Sequence, residues 1–176
     1  EAGIPLGVHA AGQLPPASNL LRFISEGADL GAFSGGKTIG GPQSSGILCG
    51  RRDLVQAAAL QHLDLDIHWE QWKPPAVLID KERLPGAPQH GIGRPCKVGK
   101  EEIVGLLTAL ERFVKEDPRE RRQRWFELMK ELHATLTSVP HSEALLVNDA
   151  KRSEIPVVHL QVNEEALGKS ALQVVC

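Results

Sequence analysis

The sequence predicts an α/β fold. Three observations carry that prediction. Short apolar runs bounded by glycine alternate with segments of helical periodicity. The alternation has the length of strand–helix–strand units, which build parallel sheets. The 176 residues, 41% apolar and 24% charged, also have an ordinary globular composition.

The elements follow in order. Residues 1–3 read as the last turn of a helix stopped by Gly3. Residues 4–10 are a first short strand. Pro15 and Pro16 then precede a helix at 18–26, where Leu20, Leu21, Phe23 and Ile24 share a face; Ser18 or Asn19 offers a cap and Gly27 a stop. A second buried strand occupies 28–33. Residues 34–45 are rich in glycine and contain Pro42, so they form a loop. A third strand at 46–49 leads into an alanine-rich helix at 53–63.

From 62 to 98 the periodicity fades. Pro74, Pro75, Pro85 and Pro88 mark a long irregular excursion, a length uncommon in compact domains unless it is functional or disordered. Residues 99–115 place Ile103, Val104, Leu106, Leu107, Leu110, Phe113 and Val114 on one side of an amphipathic helix. Pro118 opens the next helix at its first position, with Trp125, Leu128, Met129, Leu132 and Leu136 as its stripe to about residue 139. Strands at 144–147 and 156–162 complete a small α+β unit. The expected division is 1–98 as part of a large domain, and 99–176 as a linking helix with a small C-terminal domain. The start without Met and the close on a helix just beginning (170–176) read as part of a longer protein.

Composition narrows the function. Twenty basic against 22 acidic residues leave a net charge of −2, so no surface built to neutralise phosphates is expected. No Tyr, three Trp and four Phe offer few stacking platforms, and nucleic acid is not an expected partner. The run Arg119 to Arg124 reads as a solvated helix face. No apolar run approaches the roughly 18 residues of a membrane helix, and no leader is apparent. Cys49, Cys96 and Cys176 make neither a disulfide framework nor a CxxC pair, so a cytoplasmic setting is expected. The seven His include no HExxH or HxH, and His62 and His68 lie six apart, so no metal site is expected. Asp64, Asp66, Asp80 and Glu70 read as solvated carboxylates. Trp69 and Trp72 either line an entrance or pack the excursion, and packing suits them better. Cys96 has no identifiable base, and no GxSxG elbow occurs.

Positions 31–38, Gly-Ala-Phe-Ser-Gly-Gly-Lys-Thr, match GxxxxGK[ST] formally. That motif needs a helix directly after it to hold phosphates. Ile39-Gly40-Gly41-Pro42 cannot start one, which sets nucleotide hydrolysis aside. The other reading of Lys37 is an amine for Schiff-base chemistry with an aldehyde cofactor. A lysine just past a strand in a glycine loop has reach, and burial beside cations would free its lone pair. Ser34 and the loop amides would suit a phosphate. By spacing alone, a plain turn lysine stays open.

The segments His9-Ala10-Ala11-Gly12-Gln13-Leu14-Pro15-Pro16, Gly27-Ala28-Asp29-Leu30, Phe33-Ser34-Gly35-Gly36-Lys37, Gly41-Pro42-Gln43-Ser44-Ser45-Gly46 and Gly93-Arg94-Pro95-Cys96-Lys97-Val98-Gly99-Lys100-Glu101-Glu102-Ile103 together resemble one family. It is the selenocysteine-synthase-like branch of fold-type-I pyridoxal phosphate enzymes, which includes proteins described as D-glucosaminate-6-phosphate ammonia-lyase-like. The similarity covers essentially the whole chain.

The resemblance implies the later part of a fold-type-I large domain plus a small α+β domain, assembled as a homo-oligomer. It implies pyridoxal 5'-phosphate and a lyase or transferase acting on an amino acid or amino sugar acid. Lys37 would carry the internal aldimine. Ser34 and Gly36 would lie near the cofactor phosphate, and Gln43 near the phosphate or a neighbouring subunit's site. Arg94 would bind a substrate carboxylate or phosphate, which the planar guanidinium suits, and His90 would be a second polar group at the mouth, or a surface-loop histidine. The family's N-terminal half, with its ring-stacking group and main phosphate turn, has no counterpart in these 176 residues.

Position 9 departs from the pattern. The family carries an acidic residue there, which keeps the cofactor ring nitrogen protonated and the ring an electron sink. His9 accepts or donates a hydrogen bond without enforcing that charge. Three readings stand side by side: a tuned active site, a degenerate non-enzyme with a structural or interaction role, and an altered copy.

Overall fold

The structure is a computed structural model and describes residues 3–149 and 154–175. It divides into two compact units, Glu1–Val114 and Lys115–Cys176. Of the helix end expected at 1–3, only Gly3 lies within the described residues; its φ of +62° is the left-handed value a helix stop adopts.

The first unit holds β1 (Gly7–His9), α1 (Asn19–Ser25), β2 (Leu30–Ser34), β3 (Gly46–Gly50), α2 (Arg52–Gln61) and α3 (Lys100–Lys115). The sheet order is β1-β2-β3. β1 and β2 run parallel, with Gly7 opposite Leu30 and His9 opposite Ala32, as the β1–α1–β2 spacing predicts. β3 corrects the expectation of an all-parallel sheet: it runs antiparallel to β2, from Leu30 opposite Gly50 to Ser34 opposite Gly46. The cause is the connection. A parallel return needs a crossover, usually a helix. Residues 35–45 hold only turns, closed where the Gly35 N–H donates to Ser45 O at 2.9 Å, so the chain doubles straight back.

α1 ends at Ser25 with Glu26 as its C-terminal cap, and Gly27 follows with φ +109°; Ser18 precedes the helix without a side-chain capping bond. Its Phe23 ring lies 6.2 Å from that of Phe33 on β2. The core gathers Ala10, Leu14, Phe33, Ile39, Leu106 and Phe113, with Val8, Leu20, Phe23, Ile47 and Leu110 packed around it. Thus the helix expected as a linker contributes two of the six buried residues. Its apolar side chains do not share one side, contrary to expectation. At 100° per residue, Leu106, Leu110 and Phe113 form the inward stripe. Val104 and Leu107 are 64% and 60% exposed, and Ile103 and Val114 are also open.

At the amino end of β2 the three strands are tied by charge. Asp29 accepts from the Leu6 N–H (2.8 Å) and from Arg51 Nη1 (3.0 Å). Arg51 also grips Asp53 through Nη2 (2.7 Å) and Nε (3.2 Å). The Leu6 N–H, then the guanidinium, hold the Asp29 carboxyl below its ordinary value. Arg51 does the same for Asp53.

The excursion is irregular yet bonded to itself. Lys81 Nζ donates to Trp69 O (2.5 Å) and Trp72 O (2.8 Å) and lies 4.5 Å above the Trp69 ring. Trp72 is buried. The two tryptophans therefore serve packing. Leu65 N–H to Pro88 O, Gly91 N–H to Leu63 O and Gly93 N–H to Gln61 O stitch its return to the end of α2.

The second unit holds α4 (Pro118–Leu136), β4 (Ser142–Val147), β5 (Val157–Val162), α5 (Glu164–Leu167) and α6 (Ala171–Val175). β4 and β5 form an antiparallel pair with Ser142 opposite Val162, and this pair packs against α4. Asp117 caps α4 by accepting the Arg119 N–H at 2.8 Å, with Pro118 at the first helical position. Three of the four arginines of the run are spent within the unit. Arg121 and Arg124 each reach Glu116 at 2.6 Å, and Arg122 donates to Glu154 O at 2.8 Å and to the Asn148 side chain. Among the described residues no helix is long and apolar enough to cross a membrane.

Candidate functional site

Parallel strands bring their carboxyl ends to one edge of a sheet, the edge where open α/β sheets bind ligands. β1 delivers His9 to that edge and β2 delivers Ser34, because His9 pairs with Ala32 two residues earlier on β2. The loops that leave the two strands are joined. The Ala10 N–H donates to Ala32 O at 2.8 Å, and the Thr38 hydroxyl crosses to Leu14 O at 2.9 Å.

Lys37 stands on the second loop between Gly36 and Thr38. The turn beyond it closes through Gly40 N–H to Lys37 O and Gly41 N–H to Gly35 O, both 2.8 Å. Gly36 is required by contact: a Cβ there would lie 2.5 Å from Gln43 Cα and 2.6 Å from Gln43 Oε1. The structure therefore brings Gly36 and Gln43 together and sets Ser34 and Lys37 on the same short segment. Ser34 is half-buried; Lys37, Gln43 and His9 are exposed. Among the described residues the amides of Gly36, Lys37 and Thr38 donate to no protein acceptor. A primary amine, a hydroxyl and three successive unspent N–H groups form a donor set suited to an anion beside a carbonyl.

His90 and Arg94 lie elsewhere in the hydrogen-bond pattern. His90 adopts φ +55° and its N–H donates to Asp64 Oδ1 at 3.0 Å. Arg94 opens the short 3-10 turn Arg94–Cys96. Both are exposed, and among the described residues neither is hydrogen-bonded to the lysine loop. Thr38, the threonine of the formal phosphate-loop match, bonds a carbonyl, and no helix follows it.

Sequence reasoning missed the floor of the loop. α3 presses on it through Leu106, whose Cδ1 would stand 2.7 Å from a Cβ on Gly35 and 3.3 Å from one on Gly41. A Cβ on Gly105 would meet Pro42 Cγ at 2.9 Å. The available signal was Gly105 itself, since a glycine inside an apolar helix marks close backbone approach. Among the described residues no cluster of His, Cys, Asp or Glu is arranged to hold a metal ion.

No family model matches the chain. It is 34% identical over 171 residues to 5'-C-glycyluridine monooxygenase-decarboxylase of Streptomyces sp, covering 97% of this chain and 35% of that protein. It is 30% identical over 110 residues to D-glucosaminate-6-phosphate ammonia lyase of Salmonella typhimurium, 62% of this chain and 21% of that one. It is 37% identical over 118 residues to L-seryl-tRNA(Sec) selenium transferase of Moorella thermoacetica, 65% of this chain and 21% of that one. A solved structure of D-glucosaminate-6-phosphate ammonia-lyase shares the fold, with a TM-score of 0.56 and 23% identity over 97% of this chain and 37% of the other.

The sheet, the loop and these relatives define the chain as a homologue of α/β lyases and transferases. More narrowly, its homologues are named 5'-C-glycyluridine monooxygenase-decarboxylase, D-glucosaminate-6-phosphate ammonia lyase and L-seryl-tRNA(Sec) selenium transferase, the last two in line with the resemblance carried by the five quoted segments. It spans about a third of the length of the first relative and about a fifth of the other two.

Proposed function

We propose that this chain carries the lysine of a pyridoxal phosphate-dependent lyase or transferase acting on an α-amino acid or amino sugar acid. One observation carries the reading: Lys37 sits on a glycine-hinged loop at the carboxyl edge of a parallel strand pair, three residues beyond Ser34 and within a run of three unspent amides. Those donors fit a phosphate-bearing aldehyde. The relatives' names point the same way, since a glycyl, a glucosaminate and a seryl group each place an amine beside a carboxyl carbon.

Each residue has a defined task. Ser34 and the Gly36–Thr38 amides hold the phosphate. Gly36 lets the Gln43 backbone close against the loop. The Lys37 amine holds the cofactor and moves the proton at the substrate Cα. Arg94 neutralises the substrate carboxylate or phosphate, and His90 is a second polar group at the mouth. When bound, the cofactor supplies an electron sink. His9 offers its ring nitrogen a hydrogen bond without a fixed negative charge, which favours chemistry that asks less of that sink. The exposure of Lys37 and His9 supports a site completed by further protein, from a longer chain or from a second copy in a homo-oligomer. His9 also favours the second reading, a non-catalytic member with a structural or interaction role.

Incubation with pyridoxal phosphate, borohydride reduction and peptide mapping test the proposal. The expected result is a pyridoxyl group on Lys37, absent from Lys37→Ala, with tighter cofactor binding in His9→Asp. Labelling spread evenly over surface lysines such as Lys73, Lys97 and Lys130 would refute it.

A further inference from the structure

The loop that bears Lys37 is closed by its own backbone, through Gly40 N–H to Lys37 O and Gly41 N–H to Gly35 O, but those bonds do not tie it to the neighbouring strand. Glycine occupies positions 35, 36, 40 and 41, and glycine imposes the least conformational restraint of any residue. Between Gly35 and Gly41, among the described residues, one side-chain hydrogen bond leaves the loop: Thr38 Oγ1 to Leu14 O, 2.9 Å, half-buried and across 24 residues of sequence. Its acceptor is itself braced. Leu14 is 5% exposed within the core. The preceding carbonyl, Gln13 O, is held at 2.7 Å by the Nδ2 of Asn19, which is 8% exposed. Two adjacent carbonyls of the segment that leaves β1 are thus gripped from two directions, one of them the residue next to the lysine.

We propose that Thr38 is a positioning residue for the Lys37 amine. Its hydroxyl locks the lysine loop to the segment that follows His9 on β1, so that the amine and the His9 imidazole keep a fixed relation across the sheet edge. The inference rests on the reading of Lys37 as the cofactor-bearing amine. Ile39, 5% exposed in the core, anchors the loop beyond Thr38 but supplies no directional bond. The hydroxyl therefore sets orientation, and the isoleucine sets depth.

Thr38→Val removes the hydroxyl while keeping the branched shape, and Thr38→Ser keeps the hydroxyl. Two readouts on the full chain are compared: hydrogen exchange of the bonded amides of Gly35, Gly40 and Gly41, and the rate at which pyridoxal phosphate is captured on Lys37, trapped by borohydride and mapped by peptide mass. One intramolecular hydrogen bond is worth about 1 kcal/mol, so Thr38→Val should speed loop exchange about fivefold and slow capture by a similar factor. Thr38→Ser should restore both, with an unchanged unfolding midpoint. Thr38→Val with wild-type exchange and capture overturns the inference, as does a Thr38→Ser protein that behaves like Thr38→Val. If wild type itself leaves Lys37 unlabelled, the functional reading fails and this inference falls with it. Equal labelling of wild type and Thr38→Val sinks the inference alone.

Discussion

Gly36→Ala is a sharp test of how the lysine loop is built. The added methyl would sit 2.5 Å from Gln43 Cα and 2.6 Å from Gln43 Oε1. Carbon atoms pack at roughly 3.5–4.0 Å, so the Gln43 backbone must retreat by about 1 Å. The side-chain oxygen swings aside cheaply; the Cα cannot move without its neighbours. Overpacking of this kind costs about 1–3 kcal/mol. Against that, alanine restricts the unfolded chain and returns about 0.4–1 kcal/mol. The backbone at Gly36 is not left-handed, so no dihedral strain adds to the cost. A net loss of about 1–2 kcal/mol follows from these terms. Gly12→Ala is the control, because its Cβ would meet nothing within 4 Å. Urea unfolding followed by circular dichroism should place the Gly36→Ala midpoint clearly below wild type, and the Gly12→Ala midpoint at or above it. In the reading of Lys37 as the cofactor amine, a displacement of about 1 Å beside it slows capture on the order of a hundredfold. Coincident midpoints for the two variants would refute the contact.

Other outcomes are expected elsewhere in the molecule. Phe113→Ala, at 4% exposure in the core, should lower stability by about 3–5 kcal/mol in the same assay. Asp29 has a folded pKa below its ordinary 3.8, so its stabilisation is present above that value and is lost as pH falls through the lower folded value. Asp29→Asn should therefore flatten the decline of stability in acid below about pH 5, read by denaturant midpoints across pH. Lys81→Met removes two bonds to the Trp69 and Trp72 carbonyls and the contact with the Trp69 ring. It should cost about 1.5–3 kcal/mol locally, seen as faster proteolytic nicking within 69–83.

The parallel pair β1–β2 was legible because its linker carries a helix, α1, with an apolar face and a glycine stop. The direction of β3 was not. The apolar run at Gly46–Gly50 reads the same both ways along a strand, and only the connection, closed by Gly35 and Ser45, decides its sense. The two faces of α3 were merged for a related reason: seven apolar residues in one helix show that it packs, not which of them packs. The lysine loop was legible through its glycines and through Ser34. Its floor was not, because Gly105, Leu106 and Pro42 meet through tertiary packing that leaves no local pattern. Arg94 and His90 came from resemblance alone, and the bonds that hold their segment run to the end of α2.

The reversal at β3 has a consequence for how such a protein can vary. Residues 35–45 depart from Ser34 and come back at Gly46, two positions that face one another across a ladder. A detour pinned at neighbouring points can grow, shrink or change shape while the strands beneath it keep their places, because loop closure depends only weakly on length. Reach and aim of the amine are therefore adjustable at the exposed positions of the detour, while Ile39 in the core and Gly35, Gly41 and Pro42 against α3 keep their places. Relatives that differ in chemistry would be expected to differ first in the span and side chains of this detour, and grafting one relative's detour between Ser34 and Gly46 is the natural way to transplant its behaviour.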